Sequence, residues 1–245
     1  MILKTKLFGH VYEFKSVCEV MAKANEEKSG DKLAGIAAET AEERVAAKVV
    51  LSHLTLNDLR NSPAVPYEED EVTRIIQDAV NETIFNEFKN MTVAEFREWL
   101  LDERTTTEMI RHASRGLTSE IVAGVCKLMS NLDLIYAAKK MRVSAHCNTT
   151  IGLPGTFSSR LQPNHTTDDP KGIIASVMEG LSLGCGDAVI GLNPVDDSLE
   201  SVARILKMFD EFKRKWEIPT QICVLAHVTT QTAAADKLGA PLDLM

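Results

Sequence analysis

Arg160, Gln162 and Asn193 are the side chains whose types and places could handle a small polar molecule. Arg160 and Gln162 sit at the end of a β-prone run over residues 156–161. Asn193 and Pro194 follow a second run over 187–192, and a third run over 221–227 ends in His227, with Thr229, Thr230 and Gln231 beyond it. In parallel α/β sheets, ligands meet the residues at the carboxyl ends of the strands. Arg160 offers a fixed cation with planar donors. Gln162 and Asn193 each offer a carbonyl acceptor and an amide donor. Such groups orient a substrate and abstract protons poorly, so acid–base hydrolysis is not the chemistry they suggest. Arg160 and Gln162 could equally well pair with each other inside a loop.

Other constellations point to ordinary structural roles. Gly184, Gly186 and Gly191 resemble a dinucleotide-binding loop, but they precede or lie within their strand, whereas such a loop follows a strand and opens a helix. His146 beside Cys147 is not a nucleophile with its base, because sequence neighbours rarely have the required geometry. A small buried thiol is the expectation there. His227 reads as a hydrogen-bonded core or rim histidine. The acidic run at 68–71 reads as the solvated start of a helix. The basic clusters Lys139, Lys140, Arg142 and Lys213, Arg214, Lys215 fall at helix ends, where cations complement the helix dipole.

The elements that carry these residues come in two sections. Residues 1–141 read as a mainly helical region that opens with a hairpin, strands at 3–8 and 11–14 around a Gly9-His10 turn. Capping boxes are expected at Ser16/Glu19, Thr40/Glu43 and Thr92/Glu95. Helical patterning covers 16–27, 31–63, 70–90, 118–129 and 131–140, with Gly116 as a break. From residue 142 to 245, short apolar runs alternate with helical patterns at 169–183, 197–216 and from 231 onward. In the second of these helices, Leu199, Val202, Leu206, Phe209 and Trp216 share a face. Apolar strands alternating with helices predict a parallel sheet in an α/β fold. At roughly 30 residues per βα unit, about three units fit. A (β/α)8 barrel takes roughly 250 residues, so a sequence ending here would hold only the start of one.

Composition narrows the possible functions. The 245 residues are 44% hydrophobic and 25% charged, with a formal charge of −8. An acidic chain has no overall attraction to phosphate backbones, so nucleic-acid binding is not expected. The five cysteines, Cys18, Cys126, Cys147, Cys185 and Cys223, are odd in number and widely spaced. They predict reduced thiols in a cytosolic setting and no metal centre. No signal peptide and no membrane span are expected.

Four stretches carry a resemblance: NTTIGLPGTF at 148–157, SRLQPN at 159–164, GDAVIGLNP at 186–194 and VLAHVTTQ at 224–231. Shorter matches fall at Leu7–Gly9, 44–48, 81–83, 116–120 and 133–136. Together they resemble the heavy chain of the ethanolamine ammonia-lyases across essentially the whole sequence. The resemblance implies a helical N-terminal region followed by a TIM barrel, here incomplete. It implies adenosylcobalamin as cofactor and the conversion of ethanolamine to acetaldehyde and ammonia by a radical route. That chemistry belongs to the cofactor, while the protein orients and shields.

By resemblance, Arg160 is the catalytic residue and holds the substrate hydroxyl. Gln162 and Asn193 accept from its ammonium group, and Pro194 contacts the cofactor. Leu161, between two contact residues, should point away by strand alternation. The acidic substrate contacts of the family, a glutamate and an aspartate, are absent from this sequence. Burying an ammonium without a carboxylate is costly, so this length of chain should be inactive alone. The resemblance also implies a light-chain partner, a hetero-oligomer, and a cytoplasmic location in a bacterial microcompartment. A non-catalytic assembly role in the same family is the competing expectation.

Overall fold

A computed structural model of the chain describes residues 3–244. They fall into two compact units that divide between Arg142 and Val143. Residues 1–2 and 245, at the outer ends of the two expected sections, lie outside the described residues.

The first unit opens with antiparallel strands β1 (Lys4–Leu7) and β2 (His10–Glu13). Leu7 pairs with His10, so the turn is Phe8-Gly9 and not Gly9-His10. Both turn residues have positive φ, 52° and 82°, as a type I′ hairpin turn requires. Helices α1 (Val17–Lys23), α2 (Ser29–Leu33), α3 (Ala41–His53) and α4 (Leu56–Arg60) follow. Then come α5 (Glu71–Asp78), α6 (Glu82–Phe88), α7 (Val93–Leu101), α8 (Thr107–Ser114), α9 (Ser119–Lys127) and α10 (Asn131–Lys140).

Side-chain caps set most of these starts, each worth about 1 kcal/mol. Ser16, Thr40 and Thr92 cap as expected. Only Thr92/Glu95 closes both bonds of its box. Glu19 and Glu43 reach one residue further back, to the amides of Lys15 and Glu39. The stretch expected to be helical over 31–63 is broken twice. Gly35 ends the first piece at φ 69°. Thr55 starts a new helix with its own capping box, held by a bridge to Thr92. The single helix expected over 70–90 is also two. Asn81 caps α6, and its amide donates to the carbonyl of Arg115 instead of continuing α5. Leu51, Leu56, Leu59 and Ile121 lie at the centre of the core.

The second unit begins with a small hairpin, β3 (Ala145–His146) and β4 (Thr150–Ile151), which the sequence pattern did not announce. Its main body is β5 (Arg160–Leu161), α11 (Pro170–Ser182), β6 (Val189–Leu192), α12 (Leu199–Lys215), β7 (Gln221–Val224) and α13 (Val228–Leu238). The strands form one parallel sheet in the order β5-β6-β7, giving the α/β alternation expected. The first strand is shorter than its expected span. Pro154-Gly155 turns the chain, and the carbonyl of Leu153 takes the Thr156 amide and hydroxyl, so 156–159 stays irregular. Ile190, Leu192, Ile222 and Val224 pack on Ile173, Val177, Val202, Leu206 and Phe209 of the helices, each buried side chain contributing about 1.5–3 kcal/mol. Trp216 does not join that face. It caps the end of α12 and is 58% exposed.

Candidate substrate site at the carboxyl ends of the strands

Register decides which way each site residue faces. Across the sheet, Arg160 pairs with Val189 and Val189 with Gln221. Leu161 pairs with Ile190, Ile190 with Ile222, and Gly191 with Cys223. Partners in a ladder share a face, and successive residues alternate. Leu161, Ile190 and Ile222 face the helices. Leu161 lies against Gly180 of α11, where even a Cβ would come within 2.4 Å of it. Arg160, Gly191 and Cys223 therefore occupy the opposite face. Continuing the alternation past each strand end puts Gln162 and Asn193 on that face too.

The three polar side chains stand open. Arg160, Gln162 and Asn193 are exposed. Among the described residues, none of their side-chain polar atoms is held in a hydrogen bond or ion pair, so the possible pairing of Arg160 with Gln162 is not formed. Beneath them the face is bare at Gly191. A Cβ there would sit 2.3 Å from the Cys223 sulfur and 2.9 Å from its carbonyl oxygen, so only glycine fits beside that thiol. Burial pushes the Cys223 thiol above its ordinary pKa, while the Arg160 cation, close enough to act on it, pulls the other way.

Two side chains of the β5–α11 loop reach the segment after β6. Asn164 Oδ1 accepts from the Asn193 amide at 2.9 Å. Asp168 Oδ2 accepts from the Val195 and Asp196 amides at 2.8 and 3.0 Å. Asp168 is almost fully buried, at 3% exposure, and has φ 51°. The helix expected over 169–183 begins one residue later, and no expected site residue falls on Asp168. The available signal was the doubled aspartate before Pro170: Asp169 caps α11, which leaves Asp168 free for other work.

The opposite end of the sheet is closed. Gln221 is fully buried. Its amide donates to the Ala188 carbonyl and to Thr149 Oγ1, and its oxygen accepts from the Thr149 amide at 2.9 Å. Asn148 donates to the Thr220 carbonyl at 2.9 Å. The Ser159 amide and hydroxyl hold the Asp187 carboxyl below the usual carboxylate range. The hairpin segment 147–149 thus stops the amino end with satisfied polar groups.

The remaining sequence candidates resolve simply. His227 is the N-cap of α13, its Nδ1 taking the Thr229 amide, so it ends no strand. Cys147 is exposed, contrary to the buried thiol expected, because it lies in the connection between β3 and β4. Lys140 donates to the carbonyls of Leu100 and Asp102, and Lys213 pairs with Asp243 and Asp210. In the first unit, a cavity of about 700 Å³ is lined by residues including Cys18, Asp31 and Lys127. It holds none of the expected site residues.

A sequence model described as ethanolamine ammonia lyase large subunit (EutB) matches residues 12–245. The ethanolamine ammonia-lyase large subunits of Escherichia coli strain K12 and of Salmonella typhimurium are each 58% identical over 241 residues. Each alignment takes in 98% of this chain and 53% of the relative, so the chain spans about half the length of the curated relatives it matches. On these matches the chain belongs to the ethanolamine ammonia-lyase large-subunit family.

Proposed function

We propose that this chain carries the substrate-orienting part of an adenosylcobalamin-dependent ethanolamine ammonia-lyase, which converts ethanolamine to acetaldehyde and ammonia. The observation that carries the reading is the set of Arg160, Gln162 and Asn193. They stand on one face, at the carboxyl ends of adjacent parallel strands, and among the described residues their side chains are held in no hydrogen bond or ion pair. Arg160 donates to the substrate hydroxyl. The carbonyls of Gln162 and Asn193 accept from the ammonium group, the stronger class of hydrogen bond because one partner is charged. Arg160 is the one fixed charge of this set. The carboxylates that would neutralise the ammonium come from the part of a full-length subunit beyond this length, so this length alone is inactive.

The parallel β5-β6-β7 sheet supports the reading of an incomplete TIM barrel, about three βα units of it, after a helical region at 1–141. The rim residues suit the cofactor. Pro194 is half-buried and Val195 is 66% exposed, an apolar edge that would contact the cofactor. When bound, adenosylcobalamin supplies the radical chemistry at the carbon bearing the hydroxyl. Arg160, Gln162 and Asn193 hold the substrate by its two polar ends meanwhile. The working enzyme includes the light (small) chain as a hetero-oligomer in the cytoplasm, inside a bacterial microcompartment. No described helix is long and apolar enough to cross a membrane.

The test is a full-length large subunit co-assembled with its small subunit. Arg160→Ala is expected to lower kcat/KM for ethanolamine by about 100-fold or more with assembly unchanged. Parental kinetics in that variant would remove Arg160 from the site.

A further inference from the structure

We propose that Asp168 is a positioning residue. With Asn164, it fixes the segment after β6 so that Asn193 and Pro194 stand at a set distance from Gln162. The proposal rests on the substrate-site reading above.

Residues 193–196 offer three amide hydrogens, because Pro194 has none. Asn193 gives its own to Asn164 Oδ1, and Val195 and Asp196 give theirs to Asp168 Oδ2. Every available amide in the segment is therefore held by a side chain of the β5–α11 loop. That loop is itself tied down. The Asn164 amide donates to the Gln162 carbonyl at 2.9 Å. His165 Nδ1 takes the amides of Thr167 and Asp169, both at 3.3 Å. Gln162 and its two reaching neighbours thus move as one block, and the block carries Asn193 with it.

The cost of the arrangement argues for a purpose. Asp168 buries a carboxylate, and among the described residues its Oδ1 is enclosed with no partner. Its backbone stands in the left-handed region, at φ 51°, tolerable for aspartate but uncommon. Strain and an unmet polar atom persist where the surroundings over-determine a geometry, and such places cluster at functional sites. Here the geometry held is the spacing between the two strand ends that present Gln162 and Asn193.

The experiment compares the full-length enzyme, assembled with its small subunit, with its Asp168→Ala and Asp168→Asn variants at saturating adenosylcobalamin. Two readouts are taken: kcat and KM for ethanolamine, and deuterium exchange at the Val195 and Asp196 amides. In Asp168→Ala those amides exchange at least about tenfold faster and kcat/KM falls about tenfold or more, the size of effect a small misplacement produces. Asp168→Asn keeps an acceptor oxygen and recovers to within about threefold of the parent. Parental kinetics in Asp168→Ala, or a loss that Asp168→Asn does not recover, overturns the proposal. If Asp168→Ala fails to assemble, the exposed Asn164→Ala variant decides. A KM raised about threefold or more supports the clamp, and a parental KM overturns it. A parent enzyme without ethanolamine turnover would refute the activity instead. Amide exchange then still decides the clamp: faster exchange in the variant supports it, and unchanged exchange overturns it.

Discussion

The two ends of the parallel sheet treat polar side chains in opposite ways. At the amino end, Gln221 is fully buried and both ends of its amide are bonded, to Thr149 and to the Ala188 carbonyl. At the carboxyl end, Arg160, Gln162 and Asn193 are exposed, and among the described residues none of their side chains is held in a hydrogen bond or ion pair. The residue types overlap, since a glutamine serves at each end. Environment, not chemistry, separates a group that holds the fold from one that is left open at its rim. A bonded polar group deep in a sheet stabilises it, and leaving its partners unsatisfied is costly. A polar group left open on a rigid element is preorganised for something else to complete.

Substitutions at the two glutamines sharpen that contrast. Gln221→Ala would strand the Ala188 carbonyl and the Thr149 amide. It should cost the full-length subunit about 3 kcal/mol in denaturant unfolding, while KM for ethanolamine in the assembled enzyme stays within about twofold. A stability loss below about 1 kcal/mol would mean that the amino-end network is not holding the sheet. Gln162→Ala should do the reverse. Its stability should stay within about 0.5 kcal/mol of the parent, as for surface changes, and KM should rise about tenfold, one charged hydrogen bond. If Gln162→Ala melts early with an unchanged KM, the two ends are not different in kind.

The smallest expected effect is on pH dependence. Asp187 is held below its ordinary pKa by the Ser159 amide and hydroxyl. A depressed folded-state value contributes stability that is present above the unfolded pKa and lost as pH falls through the folded one. The contribution should therefore be full at neutral pH and fade below about pH 4. It should be small, because Asp187 is exposed. Acid titration of Ser159→Ala against the parent checks this, since the variant should lose less stability on acidification. An equal or greater loss would show that the Ser159 contact does not set the Asp187 titration.

Much of this arrangement is legible in the sequence. The caps at Ser16, Thr40 and Thr92 are local, three or four residues wide, and α10 runs over 131–140 as patterned. Strand alternation alone turned Leu161 away from its neighbours. Other features depend on distant partners. Asn81 ends α5 because its amide finds Arg115, and periodicity within 70–90 carries no trace of that. The β3–β4 hairpin is two residues per strand, too short for an alternating pattern to register. Asp168 reaches amides 27 and 28 residues away. Asp169 alone satisfies the helix-start pattern before Pro170, so the doubled aspartate is the one local trace of that long-range role.

The stopper at the amino end also has a bearing on how the chain is made. Thr149 and Gln221 lie 72 residues apart in sequence, so their bond closes a long loop, and the entropy of that closure is spent before any contact rewards it. During synthesis, β3, β4 and β5 leave the ribosome first, but the hairpin has no glutamine to seat on until β7 emerges. The nascent sheet therefore lacks the Gln221 bonds of its stopper through the whole of α12, although Thr149 can already reach the Asp187 carbonyl. The amino end of this sheet is sealed late in time, although the stopper segment 147–149 comes early in sequence.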